Sequence, residues 1–395
     1  MLCQFTVKNF KSIRDEVTFD MQAAAISEHE DRIIIDKDEE KYLPVSAIYG
    51  PNGGGKSNVL AALHTLVAKV LRPLFATEDS EEKVLLQKKI IVEPFVFSES
   101  KDEPTEFELF FRTTVSEYRY ILHVKRDLVL YESLDRVKLE TGRKSALFTR
   151  DANGIVLKGA FAKLKVSDEL SKTLTLLSYL GIAYKGNAVV KDVLSWFEYG
   201  IEFLNYGNPI QELRMAVSTS EEVKQLMLQM IQEMDLDIVD FRVEEKENER
   251  IDIFTKHCVD DVETEINLFD ESSGTQKLFG LLPFIAESLI TGTVLVIDEL
   301  DAKIHPVLLR HIIMMFNDMS INRHKAQLIF TSHNTNLLDL DVLRRDQIWF
   351  TEKDEQTAAT DLFSLYDFSI RKDAKVEKGY LIGRYGAIPF IKGGL

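Results

Sequence analysis

Cysteine is scarce in this chain of 395 residues, which contains only Cys3 and Cys258. Two thiols cannot form a disulfide framework or a four-cysteine metal site, so a disulfide-stapled secreted domain and a zinc ribbon are both excluded. Such chains are typical of reducing compartments, and residues 1–10 lack the layout of a signal peptide. We therefore expect a cytoplasmic protein.

Long apolar runs, internal repeats and sustained heptads are also missing. No uninterrupted apolar run approaches the length that spans a bilayer, so we expect no membrane partner. Without sustained heptads, a long coiled-coil arm is not expected. The net charge of −16 argues against a protein that coats nucleic acid uniformly. Residues 371–395 carry six basic against two acidic residues, so a solvated tail and a phosphate-binding tail both stay open.

The chain is predicted to be an α/β protein from the periodicity of its apolar residues. Strands are predicted at residues 3–8, 17–21, 45–49, 90–97, 106–113, 118–125, 238–243, 251–256, 265–269, 293–297, 326–331 and 347–351. Helices are predicted at residues 56–71, 168–179, 190–203, 272–289 and 306–319, and from the N-cap Ser220 onward. The helix after Ser220 carries a methionine-rich stripe, which is better explained by core packing. A partner-binding face stays open as the alternative.

The strongest motif lies between an apolar strand and a helix and reads Gly50-Pro-Asn-Gly-Gly-Gly-Lys-Ser57. It fits the pattern of a P-loop, whose glycines let backbone N–H groups wrap a phosphate at a helix N-terminus. Lys56 would neutralise the β and γ phosphates, and the Ser57 hydroxyl would bind Mg²⁺. The predicted nucleotide-binding residues of this loop are Asn52, Gly53, Gly54, Gly55, Lys56, Ser57 and Asn58.

A second motif, Val294-Leu-Val-Ile-Asp298-Glu299, is an apolar strand that ends in two carboxylates. This is the Walker B pattern, in which Asp298 holds Mg²⁺ and Glu299 polarises the attacking water as a general base. The interval between Lys56 and Asp298 is much longer than one βαβ crossover needs. We therefore expect a large insertion between the two halves of the nucleotide-binding fold.

Two further sequences surround the Walker B strand. Residues 271–277 precede a helix and place Ser273, Gly274 and Gln276 at an anion-binding helix start, although an ordinary serine cap would read the same way. A second phosphate site in one chain makes sense if it serves the nucleotide held by another subunit. His333 follows the next strand, where it can hydrogen-bond the γ-phosphate or the attacking water.

These four elements, in this order, resemble the ATPase heads of the ABC superfamily, and the SMC, RecF and OLD branch in particular. In that comparison Ser273-Gly-Thr-Gln276 looks like the signature motif and His333 like the switch histidine. Asn9-Phe-Lys-Ser12 resembles the opening of such heads, which implies that Lys11 and Ser12 approach the phosphates. The resemblance implies ATP and Mg²⁺ as ligands and a homodimer, or a higher homo-oligomer, that sandwiches ATP.

The motifs around Glu271 and Asp298, together with residues 380–389, look more narrowly like the stand-alone ATPases of bacterial abortive-infection and anti-phage operons. Thr275 departs from the second glycine of the signature. His305 occupies the place of the D-loop aspartate of SMC heads, which puts the contacts of that loop with a second subunit in doubt. The glutamine of the Q-loop is not placed, and Gln87 is a weak candidate for it.

The expected fold is an ABC-type ATPase head, with a RecA-like lobe, an antiparallel β subdomain and an inserted helical lobe that carries the signature. The expected divisions are residues 1–75 for the N-terminal half of the head, 76–267 for the insertion, 268–370 for the C-terminal half and 371–395 for the basic tail.

The expected reaction is slow ATP hydrolysis that depends on dimerisation. One hypothesis is a defence ATPase that senses phage material and controls a separate effector protein from the same operon, because too few residues follow His333 for an appended nuclease. The alternative is a RecF-like DNA-repair or DNA-maintenance ATPase, so DNA stays open as a partner. A transporter ATPase is disfavoured by the long insertion.

Overall fold

The computed structural model of the chain describes residues 1–75, 90–167, 170–204, 220–234, 237–246, 250–371 and 374–389. The strands are β1 Leu2–Lys8, β2 Val17–Asp20, β3 Ile34–Ile35, β4 Lys41–Tyr42, β5 Val45–Tyr49, β6 Thr105–Arg112, β7 Ser116–Lys125, β8 Leu128–Lys138, β9 Lys144–Asp151, β10 Gly154–Leu157, β11 Ile201–Leu204, β12 Ile238–Lys246, β13 Arg250–Val259, β14 Val262–Asn267, β15 Val294–Ile297, β16 Gln327–Thr331, β17 Ile348–Lys353 and β18 Thr360–Ser364. The helices are α1 Lys56–Phe75, α2 Leu176–Ala183, α3 Ala188–Tyr199, α4 Glu221–Glu233, α5 Ser273–Thr291, α6 Pro306–Asn317 and α7 Val376–Leu381.

A six-stranded sheet forms the centre of the protein, in the order β11-β15-β16-β5-β17-β18. The first five strands are parallel, and β18 is antiparallel to β17. Strands β5, β15 and β16 are buried along their whole length, which explains why each reads as a nearly continuous apolar run. Because these three strands are parallel neighbours, the segments that follow them meet at one edge of the sheet.

Side chains of the central sheet alternate between two separate cores. Leu295 and Ile297 of β15 enter the core formed with α4, α5 and α6. Val294 and Val296 of the same strand enter the core on the opposite face, which also contains residues of α1, α2 and α3. This alternation follows from the two-residue period of a strand. The predicted α/β fold is confirmed, with the parallel sheet between two apolar layers.

A seven-stranded antiparallel sheet contributes to the core that contains α1, in the order β10-β9-β8-β7-β6-β1-β2. Strand β1 pairs with β2 on one side and with β6 on the other. The sheet therefore joins strands from both sides of the boundary expected at residue 75. Strands β8, β9 and β10 were not predicted from the sequence.

The helix α5 lies against α4 and a three-stranded antiparallel sheet, β12-β13-β14. Ser220 caps α4, as predicted, by accepting a hydrogen bond from Val223 N. Met227, Met230 and Met234 are buried among residues of α5 and β12. The methionine-rich stripe is thus part of the core, and the interpretation as core packing is confirmed.

The predicted strand over residues 90–97 is wrong, because this segment has an irregular backbone. Its hydrogen bonds go to loops: Lys11 N donates to Glu93 O at 2.9 Å, and Val92 N donates to a carbonyl between β7 and β8 at 2.8 Å. The apolar alternation arises because Val92 and Phe95 are buried while their apolar neighbours are exposed. No adjacent strand supplies a ladder within the described residues.

Two predicted helices have different bounds in the structure. The helix expected over residues 168–179 begins only at Leu176, where Thr175 caps it, and residues 168–169 lie outside the described ranges. The helix expected over residues 190–203 ends at Tyr199. The remaining residues form β11, which pairs with β15 and extends the central sheet.

Among the described helices, α1 is long and apolar enough to span a bilayer by composition, which the sequence analysis did not anticipate. The helix begins at the P-loop lysine, Lys56, and its residues Val59, Leu63 and Leu66 are buried in a core. Its apolar character is therefore explained by packing inside the protein.

Candidate nucleotide site

The P-loop connects β5 to α1 through a tight glycine-rich turn. Gly53 and Gly55 have φ angles of +75° and +103°, a region that favours glycine. A Cβ on Gly55 would overlap the side chain of Thr360. The loop therefore requires glycine for its backbone shape at Gly53, and for both shape and space at Gly55.

Lys56 is buried in this loop, and its ammonium is held by carbonyl groups. Its Nζ donates to Gly50 O at 2.9 Å and to Pro51 O at 3.2 Å. Burial lowers the pKa of Lys56, and the nearby Asp298 and Glu299 oppose that shift. A buried cation with only neutral oxygens in hydrogen-bond contact can gain strongly from a phosphate, so the loop fits a nucleotide.

A cleft of about 220 Å³ lies beside the start of α1 and is lined by Lys11, Ser57, Asn58 and Asp298, among others. The structure thus brings together the predicted metal-binding hydroxyl of Ser57 and carboxylate of Asp298. No group of three or more His, Cys, Asp or Glu side chains in the described ranges could hold a metal ion alone. One hydroxyl and one carboxylate suit Mg²⁺ that takes its other ligands from phosphates and water.

The carboxylates at the end of β15 are held by Thr331, the last residue of β16. Thr331 Oγ1 donates to Asp298 Oδ1 at 2.5 Å and accepts from Glu299 N at 2.7 Å. Glu299 has a φ of +52°, an uncommon conformation for a residue with a side chain. This hydroxyl therefore fixes both Walker B residues, and the sequence analysis did not predict it.

His333 lies two residues after β16, which is the strand next to β5 in the sheet. Its side chain is exposed, while its backbone N donates to Asp301 Oδ2 at 3.1 Å. The histidine is thus placed at the sheet edge that carries the P-loop, by a bond to the turn that follows Glu299.

The N-terminal residues Lys11 and Ser12 lie beside the P-loop. Ser12 Oγ accepts from Asn58 Nδ2 at 2.6 Å and shares a hydrogen bond of 2.8 Å with Thr360 Oγ1. Thr360 in turn donates to Gly54 O at 3.2 Å. Thr360, on β18 and far from the P-loop in sequence, is a second supporting hydroxyl that the sequence analysis missed.

The signature residues form the start of α5 and are not among the residues that line the P-loop cleft. Ser272 caps the helix by accepting from Thr275 N at 3.2 Å, and the side chain of Ser273 is exposed. Gln276 folds back, and its Nε2 donates to Glu271 O at 2.8 Å and to Phe269 O at 3.0 Å. Within the described part of the chain, no hydrogen bond joins Ser273 or Gly274 to the P-loop.

Two residues that the family resemblance singled out, Gln87 and His305, are not placed at this site by the structure. Gln87, the weak candidate for the Q-loop, lies outside the described residues. His305 caps α6, where its Nδ1 accepts from Val307 N at 3.3 Å. His305 therefore serves as the N-cap of α6, a position that Ser, Thr, Asp or Asn usually occupies.

Comparison with known proteins identifies the family. Residues 45–339, well over half of the chain, match the family described as "AAA domain, putative AbiEii toxin, Type IV TA system". The chain belongs to this family of AAA-domain ATPases. This match confirms, at the level of the family, the resemblance to ABC-type ATPases of abortive-infection operons. No curated protein sequence matches this AAA-domain ATPase significantly.

Solved structures with a similar fold include SMC head domains. The head from Thermotoga maritima is 15% identical, with a TM-score of 0.44, and the match covers 92% of this ATPase and 98% of that chain. An SMC head bound to the C-terminal winged-helix domain of ScpA is 12% identical, with a TM-score of 0.48, over 92% and 97% of the two chains. The head from Pyrococcus furiosus is 13% identical, with a TM-score of 0.45, over 97% and 98%.

Proposed function

We propose that this chain binds Mg²⁺ and ATP in the P-loop cleft and hydrolyses the γ-phosphate. The observation that carries the proposal is the meeting of three motifs at neighbouring strand ends. The P-loop follows β5, Asp298 and Glu299 follow β15, and His333 follows β16, with β16 lying between the other two. Membership of an AAA-domain family supports the same chemistry.

Each residue has a separate role in this proposal. Lys56 neutralises the β and γ phosphates, while Ser57 and Asp298 bind Mg²⁺, which offsets the charge on the phosphate oxygens. Glu299 orients water and accepts its proton as the water oxygen bonds to the γ-phosphorus and the bond to the bridging oxygen breaks. His333 hydrogen-bonds the γ-phosphate from the next strand end. Most of the catalytic effect would come from positioning and electrostatics.

We further propose that a second copy of the chain completes each site. Ser273 and Gly274 stand at the start of α5, where backbone N–H groups and the helix dipole favour an anion. Ser273 is exposed and is not among the residues that line the P-loop cleft of its own chain, which supports a contact with the nucleotide of the other copy. Two bound nucleotides would then stabilise a two-fold dimer, because ligand that binds only the dimer shifts the equilibrium towards it.

Glu299→Gln tests both parts of this proposal. The variant keeps the size of the side chain but loses the base, so we expect ATP to bind while phosphate release falls by about 100-fold or more. Sedimentation velocity with and without ATP should show an ATP-dependent dimer. Glu287→Gln, on the exposed face of α5, is the matched control and should hydrolyse ATP like the wild type.

Ser273→Arg tests the contact between copies separately. The bulky cation should leave ATP binding by one chain intact and block dimerisation, because it would clash at the facing P-loop. Normal hydrolysis by Ser273→Arg would show that the site is complete within one chain. Normal hydrolysis by Glu299→Gln would instead show that the general base is another group.

At the level of the cell, we propose that the ATPase belongs to an anti-phage system and controls a separate effector. The family description names a putative toxin and a toxin–antitoxin system, which supports a two-component arrangement. Among the described residues, no group of three or more His, Cys, Asp or Glu side chains offers the metal site that a nuclease would use. The trigger would act through nucleotide binding or dimerisation.

A further inference from the structure

A buried lysine links the helix that carries the signature residues to the turn that carries the proposed base. Lys277 lies one turn into α5, and only 6% of the residue is exposed. Its Nζ donates to the carbonyl oxygen of Ala302. Burial lowers the pKa of Lys277 to about 8, and a cation near a helix N-terminus is also disfavoured. An apolar side chain would fill this position at a lower cost.

The turn that Lys277 contacts has an unusual backbone. Glu299 and Lys303 both have positive φ angles, +52° and +63°, and such residues keep their conformation only when the surroundings hold them. Ala302 lies inside this turn, and its N donates to Glu299 O at 3.1 Å. The bond from Lys277 therefore holds the segment at Ala302, in addition to the bond between Thr331 and Glu299 N.

The same turn also contacts the start of α5 and the segment after β16. A Cβ on Gly274 would lie 3.5 Å from Lys303 O, so the helix start is packed closely against the turn. Asp301 accepts a hydrogen bond from His333 N at 3.1 Å. Asp301 and Glu299 are also near enough to Lys277 to stabilise its charge. One side chain from α5 thus adjoins the segment that carries Glu299 and holds His333.

We propose that Lys277 is a positioning residue for hydrolysis, which ties α5 to the turn over residues 299–303 and so aligns Glu299 and His333 within the same chain. The inference rests on the proposed hydrolytic role of Glu299. Lys277 acts through this turn and does not contact the nucleotide. Its removal should therefore affect the rate of the chemical step and leave nucleotide binding unchanged.

Lys277→Met is the decisive variant, because methionine fills a similar volume without a donor. We expect kcat for ATP hydrolysis to fall about 10- to 100-fold, as displacement of a catalytic group by about 1 Å can do. KM and the affinity for a non-hydrolysable ATP analogue should stay within about twofold of wild type, since uniform binding is not affected. Lys277→Arg keeps a donor and should retain most of the rate. Lys191→Met, an exposed lysine on α3, is the matched control.

A double variant separates positioning from a role at the dimer interface. Glu299→Gln/Lys277→Met should still form the ATP-dependent dimer, because only hydrolysis depends on the alignment. Loss of that dimer would place Lys277 in the interface and overturn the proposal. If Lys277→Met does not fold, Lys277→Leu, which also lacks a donor, replaces it with the same expectations.

The rate of ATP hydrolysis by the wild-type chain distinguishes a failure of the role proposed for Lys277 from a failure of the proposed function. A wild-type chain that hydrolyses ATP alongside an equally active Lys277→Met overturns only the role of Lys277. A wild-type chain that releases no phosphate, with Lys56→Ala as the reference for background, overturns the proposed function and this inference together.

Discussion

At the scale of single residues, one hydroxyl organises the acidic end of the site. Thr331 is fully buried, and its Oγ1 bonds to both the carboxylate of Asp298 and the backbone N of Glu299. The bond to Asp298 Oδ1 fixes the orientation of the carboxylate that would hold Mg²⁺. A single side chain therefore sets the orientation of the metal ligand and of the base.

Thr331→Val should separate this role from simple packing, because valine has nearly the same shape but no hydroxyl. The carboxylate of Asp298 and the backbone N of Glu299, which are only partly buried, would lose their partner, so we expect the free energy of unfolding to fall by about 1–2 kcal/mol. Phosphate release should fall about tenfold or more, since the base loses its support. Urea denaturation and a phosphate-release assay measure the two effects.

Thr331→Ser is the matched control, because it keeps the oxygen that makes both bonds. Its rate should stay close to that of the wild type. Equal rates for Thr331→Val and the wild type would mean that the backbone turn alone positions Glu299.

The residues that were predicted at the site are those whose sequence context is itself informative. Gly55, Lys56 and Asp298 stand in motifs whose spacing reflects direct contact with phosphate or metal. Thr331 and Thr360 could not be recognised in this way, because each supports the site across strands that are far apart in sequence. Their roles depend on which strands are neighbours, and that order is set by the whole sheet.

At the scale of elements, prediction was best where a strand is buried on both faces. Strand β5 was predicted with its observed bounds, and β15 and β16 to within one residue, because a short continuous apolar run between turn residues is typical of a fully buried strand. The segment over residues 90–97 misled the prediction, since burial of every second or third side chain can also occur in an irregular loop. Strand β11 was not predicted because the apolar pattern of α3 continues into it, so that the two elements read as one helix.

The C-terminal segment is another element whose role the structure changes. Two tyrosines set among glycines near residues 380–385 would suit a docking surface, yet Tyr380 and Tyr385 are only 7% and 2% exposed. Both rings stack on Phe350 of β17, with centroids 5.5 Å and 6.0 Å away. Tyr380 OH also donates to Ala387 O at 2.9 Å. This part of the tail therefore belongs to the core and is not a free docking surface.

Tyr380→Ala should therefore destabilise the protein itself. Removing a buried ring leaves a cavity and an unpaired carbonyl, and we expect a loss of about 3 kcal/mol in the free energy of unfolding. Urea denaturation measures the loss. Tyr199→Ala, at a tyrosine that is 74% exposed, should change stability by about 0.5 kcal/mol or less. Equal stabilities for the two variants would contradict the packing described for the tail.

At the scale of the whole molecule, charge limits the partners that this ATPase can bind without a specific site. The net charge is −16, while Arg371, Lys375, Lys378 and Arg384 are exposed on the described part of the tail. A strongly acidic protein is repelled by nucleic acid except where a local basic surface faces it. The negative net charge therefore favours a protein partner over general DNA binding, and a contact with DNA would need a local basic surface such as the exposed residues of the tail.

A separate effector is the protein partner that the proposed function expects. If the ATPase controls a separate effector, co-expression with the neighbouring gene should give a complex that survives purification through a tag on either protein. Growth should be arrested only when the effector is expressed, and Lys56→Ala should alter the arrest without breaking the fold. Pull-down and growth curves of the chain alone, the neighbour alone and both together measure this. A tagged protein of similar negative charge is the control for non-specific capture.

Two outcomes would contradict the separate effector, for different reasons. Growth arrest by the chain alone would place the toxic activity in this ATPase. Failure to capture the neighbour, together with specific binding to gapped duplex DNA in a mobility-shift assay, would favour the RecF-like repair alternative. Because DNA binding through phosphates weakens steeply with salt, the assay must be repeated at physiological ionic strength before it counts for that alternative. If binding persists there, the exposed basic residues of the tail, Arg371, Lys375, Lys378 and Arg384, would be the first to substitute.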